Sequence, residues 1–106
     1  MTQALVNIPA KAKRGEAIEI KALISHPMET GYRHDTNGVA IPRDIIHTLV
    51  CRYNGEEVFR ADLHPAIAAN PFIAFFTVAT ESGIIELAWT DDHDSTQTHK
   101  ADITVE

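Results

Sequence analysis

Hydrophobic and polar residues alternate with a period of two along most of the chain, which is typical of β-strands whose two faces meet different surroundings. In Glu16–Ile24 the apolar residues Ile18, Ile20, Ala22 and Ile24 would share one face, while charged residues occupy the other. Turn-forming residues separate this run from similar ones. The pattern predicts these strands: Ala4–Ile8, Glu16–Ile24, Ile45–Tyr53, Glu56–Leu63, Phe72–Ala79, Gly83–Thr90 and Gln97–Val105.

The connections between these runs indicate an all-β fold. Asn54-Gly55 predicts a hairpin with a type I′ turn, because both central residues of that turn need a positive φ. Ser25–Asp44 is long for a loop, and we expect a binding loop that contains a short hairpin at Asn37-Gly38. Lys11–Gly15 is interpreted as a polar turn. With no convincing helix, the chain predicts an immunoglobulin-like β-sandwich of about seven antiparallel strands in one domain, residues 1–106.

Two predicted strands carry apolar residues on both faces. In Ile45–Cys51 and in Phe72–Val78 one face can fill the core, and the other would be left toward water in a two-layer sandwich. Contiguous exposed apolar patches usually mark protein interfaces, so we expect a surface that binds another subunit. A loop or an edge segment that covers the second face is the alternative.

Charge and composition exclude several classes of partner. Fifteen acidic and nine basic residues give a net charge of -6, which would repel a phosphate backbone, so no nucleic-acid partner is expected. No apolar run is long enough to span a bilayer, and we expect no membrane partner and a soluble chain. The first residues show no secretory signal, which by itself suggests the cytoplasm.

The residues able to do chemistry form no recognisable catalytic pattern. Cys51 lies in the middle of a predicted strand, where a packed thiol is the simpler interpretation. The six histidines lack metal-ligand spacing, and the acidic run Asp91–Asp94 is interpreted as a solvated turn. No catalytic residue, cofactor or metal is therefore expected. A small metal-binding or redox protein that uses His26, His64 and Cys51 stays open as the alternative.

Two His-Pro pairs differ from the rest of the loops. Proline restrains its own φ and the residue before it, so His26-Pro27 and His64-Pro65 would each present an imidazole from a stiff backbone. Stiff presentation suits recognition of a partner. The alternative is that the prolines end strands while the imidazoles bond loop carbonyls, and the sequence favours neither.

At these loops the chain resembles a known family. Ile24–Gly31 (ISHPMETG) and Tyr53–Pro71 (YNGEEVFRADLHPAIAANP) closely resemble the SoxZ family, the Z subunit of the bacterial sulfur-oxidation carrier. The resemblance covers essentially the full chain, including Glu81–Gly83 and Trp89–Asp92. It implies an immunoglobulin-like sandwich that pairs with SoxY, whose C-terminal cysteine arm carries the sulfur adduct. It also implies that Cys51 is not the carrier thiol.

The resemblance implies a non-catalytic scaffold in thiosulfate or sulfur oxidation that helps to present SoxY to other Sox enzymes. It further implies export to the periplasm together with SoxY, which overrides the cytoplasmic expectation. The isolated chain could form a homo-oligomer. The candidate residues for the body of the domain and the partner interface are Phe59, Phe72, Phe75 and Phe76. Those for the recognition loops are His26, Pro27, Met28, Glu29, Arg60, His64, Pro65, Asn70 and Pro71.

Overall fold

The computed structural model describes residues 3–64 and 69–106, and these residues form a two-layer β-sandwich. In chain order, the strands are β1 (Gln3–Asn7), β2 (Lys11–Ala12), β3 (Ala17–Ser25), β4 (Ile46–Tyr53), β5 (Glu56–Asp62), β6 (Phe72–Val78), β7 (Gly83–Asp91) and β8 (Thr96–Val105). One sheet has the order β1-β3-β6, and the other has the order β2-β8-β7-β4-β5. The all-β sandwich expected from the alternation is confirmed. Within the described residues no helix is long and apolar enough to cross a membrane.

Pairing is antiparallel except between β2 and β8. Strand β2 lies within the segment Lys11–Gly15, which was expected to be only a turn. It has two residues, and a strand this short has no alternation by which a sequence pattern could identify it.

The hairpin expected at Asn54-Gly55 joins β4 to β5, with φ values of 51° and 84° at its two central residues. Asn54 also connects this turn to β7. Its backbone N–H donates to the Ile84 carbonyl at 2.8 Å, and its side-chain oxygen accepts from the Ile84 N–H at 2.9 Å. The turn therefore belongs to the five-stranded sheet, because its asparagine bonds the next strand as well as its own hairpin.

The core lies between the two sheets. The four apolar residues of β3 expected on one face are all buried, and they face Leu49, Cys51, Ile85, Leu87 and Trp89 of the larger sheet. Their burial confirms the alternation in this strand. The facing residues are mostly branched aliphatic side chains, which pack densely and supply most of the free energy that stabilises a sandwich.

The expectation that β4 leaves an apolar face toward water is wrong. Its outward residues are Thr48, Val50 and Arg52, and the apolar one of these, Val50, is buried between Arg60 and Ala88 of the neighbouring strands. A register shift between Ile46 and Thr48 lets the adjacent residues Ile45 and Ile46 both be buried. The apolar run at the start of β4 therefore reflects a bulge, and the exposed apolar face belongs to β6.

The Ser25–Asp44 segment folds back on itself, as expected. Isolated antiparallel bridges join Glu29 to Asp44 and His34 to Ala40. At its tip Asp35 accepts a hydrogen bond from the Gly38 N–H at 3.0 Å, and Gly38 has a φ of 78°. The expected hairpin is present, but its turn runs from Asp35 to Gly38 and has Thr36 and Asn37 at its centre, one residue before the expected Asn37-Gly38. This turn holds the long connection in a hairpin-like shape.

Candidate partner-binding site

The outward face of the three-stranded sheet, called the outer face below, carries exposed apolar side chains on all three of its strands. Leu5, Leu23 and Phe72 are cross-strand neighbours in the register of β1, β3 and β6, and their exposed fractions are 74%, 39% and 61%. Side chains directly opposite each other on neighbouring strands are in contact range. The three residues therefore form one continuous apolar row that faces solvent.

This patch continues along β6. Phe76 and Val78 lie on the same face as Phe72, because residues two apart along a strand point the same way, and both are exposed. The nearby charges on β3 come from Glu19 and Lys21, whose side chains pair with each other at 3.3 Å. An exposed patch of this kind is typical of a surface that another protein covers.

The four candidate phenylalanines divide between the outer face and the core. Phe75 points inward and is buried, and its ring stacks on Phe59 with the centroids 4.0 Å apart and the planes at 2°. This stack joins β6 to β5 across the sandwich, so it supports the body of the domain. Phe72 and Phe76 are exposed on the outer face, where a partner could reach them. Their role in binding stays a prediction.

Sequence reasoning missed Leu5 and Leu23, although both belong to the exposed row. Leu23 is the one large apolar residue at the outward positions of its strand, and Leu5 lies in a short strand whose inward and outward sets are hard to separate. The departure from alternation at Leu23 was a visible signal. That Leu23 lies beside Phe72 depends on strand pairing, which a single sequence does not reveal.

The candidate loops meet at His26 and Asn70. The Asn70 N–H donates to the His26 carbonyl at 2.8 Å, and the Asn70 side-chain oxygen accepts from the His26 N–H at 3.0 Å. Asn70 has a φ of 53°, a conformation that asparagine tolerates better than most residues. Buried Pro71 follows, and its carbonyl accepts from the Ile24 N–H. The structure thus joins two loops that lie far apart in the sequence.

Most of the first His-Pro loop is structural. Met28 is buried, and its sulfur accepts a hydrogen bond from the Ile46 N–H at 3.3 Å. Glu29 pairs with Arg33, whose guanidinium lowers the pKa of the Glu29 carboxyl. Pro27 is the exposed residue among the candidates from His26 to Glu29. A partner could therefore contact Pro27 directly, whereas His26 and Met28 hold the loop in place.

The second set of candidates is more accessible. Arg60 lies on strand β5 and not in a loop, as the sequence had suggested, and it is exposed and pairs with Glu57 at 3.0 Å. His64 is exposed just after the end of β5. Pro65 lies outside the described residues. Their part in recognition stays a prediction.

Asp92 fastens the Ser25–Asp44 loop to the turn between β7 and β8. Its two carboxylate oxygens each accept from the Arg43 guanidinium at 2.8 Å, and one also accepts from the Ile45 N–H at 3.1 Å. The bonds from Arg43 lower the pKa of the Asp92 carboxyl, and the Ile45 N–H adds to this effect. The interpretation of Asp91–Asp94 as a solvated turn is therefore wrong for Asp92, because its carboxylate is bonded to protein groups and not left to water. These groups lie 49 and 47 positions away in the sequence.

One group of side chains has the composition of a metal site. Single donor atoms of His26, Asp44 and Asp91 lie within 4.8 Å of one another, and His26 is only 5% exposed. Exposed His93 also approaches the group, with its Nε2 3.4 Å from Asp44 Oδ2. Sequence reasoning missed Asp44 because no spacing signal links it to His26.

The hydrogen bonds of His26 argue against metal coordination by this group. His26 Nδ1 accepts from the Met28 N–H at 3.0 Å, so the neutral ring carries its proton on Nε2. Nε2 points toward Asp44 Oδ1, 3.7 Å away. A metal ion would need the lone pair of Nε2 and would move the proton to Nδ1, where it would face the Met28 N–H. The arrangement suits a hydrogen-bond donor directed at a carboxylate.

Cys51 is buried in the core, between the two sheets. Burial raises the pKa of its thiol to about 11, so very little reactive thiolate exists at neutral pH. Among the described residues, the group with metal-site geometry does not include Cys51 or His64. The metal-binding or redox alternative requires His26, His64 and Cys51 to lie together, and the structure does not bring these three residues together.

Solved structures with the same fold include two kinds of protein. A superoxide reductase (neelaredoxin) from Ignicoccus hospitalis is 18% identical, with a TM-score of 0.74 over 99% of this chain and 82% of that chain. The sulfur carrier protein SoxY from Chlorobium limicola f thiosulfatophilum is 9% identical, with a TM-score of 0.66 over 97% of this chain and 78% of that chain. Likenesses at such identities establish the fold alone.

Comparison by sequence is more specific. No match was found among curated proteins. The family model described as "Sulphur oxidation protein SoxZ" matches residues 6–102, which includes the candidate loops and every strand of the outer face in whole or in part. The resemblance inferred from ISHPMETG and the Tyr53–Pro71 segment is thereby confirmed. The chain belongs to the SoxZ family of sulfur-oxidation proteins.

Proposed function

We propose that this chain is the non-catalytic subunit of a periplasmic SoxYZ carrier that binds SoxY through its outer face. SoxY would carry the covalent sulfur adduct of thiosulfate oxidation on its C-terminal cysteine arm. The chain would supply a rigid body that keeps the arm accessible to other Sox enzymes. The observation that carries the proposal is the apolar outer face in a member of the SoxZ family.

The outer face suits a stable interface with a protein. Its large apolar side chains come from three strands and are held by a packed sheet, so binding requires little reordering of the backbone. Exposed aromatic residues often dominate the binding energy of such patches, and here Phe72 and Phe76 supply them along β6. We expect these two residues to contribute more than the flanking polar ones.

The internal chemistry of the chain supports a scaffold role. The thiol of Cys51 is buried with a raised pKa, and the His26 imidazole is engaged by Met28 and directed at Asp44. Neither group has both the exposure and the free lone pair that a nucleophile needs. The reactive thiol of the proposed carrier would therefore belong to SoxY.

The exposed residues on and beside the loops suit transient contacts with the enzymes that SoxY visits. Pro27, Arg60 and His64 are exposed, and the backbone behind Pro27 is held by the bonds between His26 and Asn70. Rigid loops that display a few polar groups are common in recognition. We propose that these residues shape the surface around the SoxY arm. The proposed location is the periplasm, reached together with SoxY.

Coexpression with the SoxY of the same organism tests the proposal. We expect copurification at a 1:1 ratio, measured by light scattering coupled to size exclusion. Phe72→Lys should weaken binding at least about tenfold, because it replaces a large exposed aromatic side chain of the apolar patch with a charge. Ile84→Lys is the matched control, since Ile84 is also exposed and apolar but lies on β7 of the other sheet.

Failure of SoxY to bind the wild-type chain would overturn the proposed function. Equal loss of binding in Phe72→Lys and Ile84→Lys would remove the outer face as the site. Circular dichroism of each variant establishes that the sandwich is intact.

A further inference from the structure

We infer that SoxY adds a strand to the open edge of β6, so that the three-stranded sheet continues into the partner. This inference rests on the proposed function and concerns how the interface is built. Docking of two sheets face to face would bury the same phenylalanines but leave the β6 edge unpaired. The two arrangements differ in the hydrogen bonds of the β6 backbone.

The backbone of β6 has one bonded side and one open side. In an antiparallel pair, only every second residue exchanges hydrogen bonds with the opposite strand. Ile24 donates to Pro71 at one end of the β3–β6 pair, and Ala79 donates to Glu16 at the other. Within the register between them, the odd-numbered residues of β6 bond β3. The N–H and C=O groups of Phe72, Ala74, Phe76 and Val78 therefore point to the open edge.

The β6 edge lacks the features that protect exposed edges. Its seven residues, FIAFFTV, contain no charge and no proline, and its pairing with β3 runs through all seven without a bulge. Such an edge is a ready template for another strand unless a partner covers it. An unprotected edge of this length therefore points to a partner strand.

The other edges of the two sheets are protected. Strand β5 carries Glu56, Glu57, Arg60 and Asp62 and has a bulge in its pairing with β4. In the larger sheet, β2 has only two residues, and the part of the β8 edge that it leaves open includes charged residues. In the smaller sheet, β1 has five residues and is soon followed by a proline. Short strands, charges and bulges all discourage edge pairing. β6 is the exception among the strands of the described residues.

The core-facing side of β5 indicates room for one more strand. Phe59 and Ala61 lie opposite the core residues Cys51 and Leu49 in the β4–β5 register, yet both remain partly exposed. The sheet opposite β5 is narrower, with three strands where the larger sheet has five. The Phe75 ring of β6 stacks on Phe59, but no strand of the smaller sheet lies beyond β6 to cover the rest of β5. A strand added beside β6 would extend the narrower sheet over this flank and bury these two side chains.

SoxY is the occupant that fits this edge. The solved SoxY shares the sandwich fold of this chain over most of its length, with a TM-score of 0.66, so its sheets have the architecture of the sheet that β6 would extend. The outward side chains beside the edge are apolar, so they favour a partner strand with apolar residues on that face. A second copy of this chain is the competing occupant, because β6 could also pair with itself.

Amide hydrogen exchange read residue by residue by NMR distinguishes these arrangements. In the free chain, the amides of Ile73, Phe75 and Thr77 should exchange slowly, and those of Phe72, Ala74, Phe76 and Val78 quickly. In the complex with SoxY, at least two of the four fast amides should slow by at least about tenfold, because a backbone bond closes them to water. Unchanged rates in a formed complex would overturn strand addition and leave the proposed function standing.

Ala74→Pro provides a second test. It removes an N–H that points to the open edge, so it costs no bond to β3, and proline is tolerated on such edges. The change leaves a partner carbonyl without a donor, so SoxY binding should weaken about tenfold or more. Ala74→Ser keeps the N–H and a small side chain, and it should bind within about threefold of wild type.

The outcomes separate the hypotheses. Equal binding by Ala74→Pro and Ala74→Ser overturns strand addition, whereas failure of the wild-type chain to bind SoxY overturns the proposed function. Light scattering shows whether the free chain is dimeric. If it is dimeric and its four edge amides exchange slowly, the edge pairs with a second copy of the chain, and the inference is overturned. Trp89 fluorescence checks folding, and if Ala74→Pro does not fold, the exchange rates of the wild-type complex decide.

Discussion

Replacement of Asp92 should destabilise the domain in two separable steps. Asp92 accepts a paired set of bonds from Arg43 and a further bond from the N–H of buried Ile45. Asp92→Asn removes the negative charge but retains an oxygen that can accept from Ile45. Asp92→Ala removes both interactions and leaves a backbone donor without a partner in a buried position.

The expected magnitudes follow from exposure. The Arg43 side chain is 49% exposed, so its ion pair with Asp92 should contribute at most about 1 kcal/mol to the free energy of unfolding. An unsatisfied buried N–H costs ~1–3 kcal/mol. We therefore expect Asp92→Asn to cost about 1 kcal/mol or less, and Asp92→Ala to cost about 2–4 kcal/mol in total. Asp102→Ala, at an exposed aspartate on β8, is the control and should cost little.

Urea unfolding followed by Trp89 fluorescence measures these differences, because Trp89 is the single tryptophan and is buried in the core. The pH dependence supplies a further check. The folded state holds the pKa of Asp92 below its ordinary value of 3.8, so the stabilisation is complete above that value. It is lost as the pH falls through the lower folded-state pKa. The gap between wild type and Asp92→Ala should therefore shrink in acid.

Two results would refute this reasoning. If Asp92→Ala were no less stable than Asp92→Asn, the Ile45 N–H would not depend on Asp92 in solution. If the gap between wild type and Asp92→Ala stayed constant from neutral pH to strong acid, the lowered pKa of Asp92 would be wrong. In either case the attachment of the Ser25–Asp44 loop would need another explanation.

Three further predictions concern the thiol and the loop junction. Cys51→Ala should leave the thiosulfate-dependent mass adduct on the SoxY carrier intact, because the reacting thiol is proposed to be the partner's; loss of that adduct would contradict the scaffold role. Iodoacetamide should label Cys51 only after unfolding, since the thiol is buried with a pKa of about 11, and rapid labelling of the native chain at pH 7 would refute its burial. Asn70→Ala should destabilise the chain by about 1–2 kcal/mol more than Asn70→Gly, because both lose the bond to the His26 N–H but only alanine is strained at a φ of 53°; equal stability in urea would show that this backbone conformation relaxes.

The fold and the family could be predicted from the sequence because their signals are local. Alternation in Glu16–Ile24 identifies a strand and its buried face, since the period of two is a property of the extended backbone itself. Asn54-Gly55 identifies its hairpin because few dipeptides tolerate two positive φ values. The motif around His26 and the Tyr53–Pro71 segment identified the SoxZ family in the same way, from contiguous residues.

The candidate site could be predicted only in part. Phe72–Val78 was correctly identified as apolar on both faces, and the exposed Phe72 and Phe76 follow from that pattern. The same reasoning failed for β4, because a bulge at Ile46 buries two adjacent apolar residues and breaks the alternation on which it depends. Apolar residues on both sides of a strand thus reflect either an exposed apolar face, as in β6, or a bulge, as in β4. The sequence does not distinguish these two causes.

The sequence by itself determined which residues extend, which turn, and which family the chain belongs to. The tertiary structure decided which apolar residues share an exposed surface and which polar residues meet. Leu5 and Phe72 flank Leu23, His26 bonds Asn70, and Arg43 reaches Asp92 only because of strand pairing and loop packing over long separations. The physical reason is that strand alternation depends on neighbouring residues, whereas register is set by the pairing of strands that the chain brings together from distant positions.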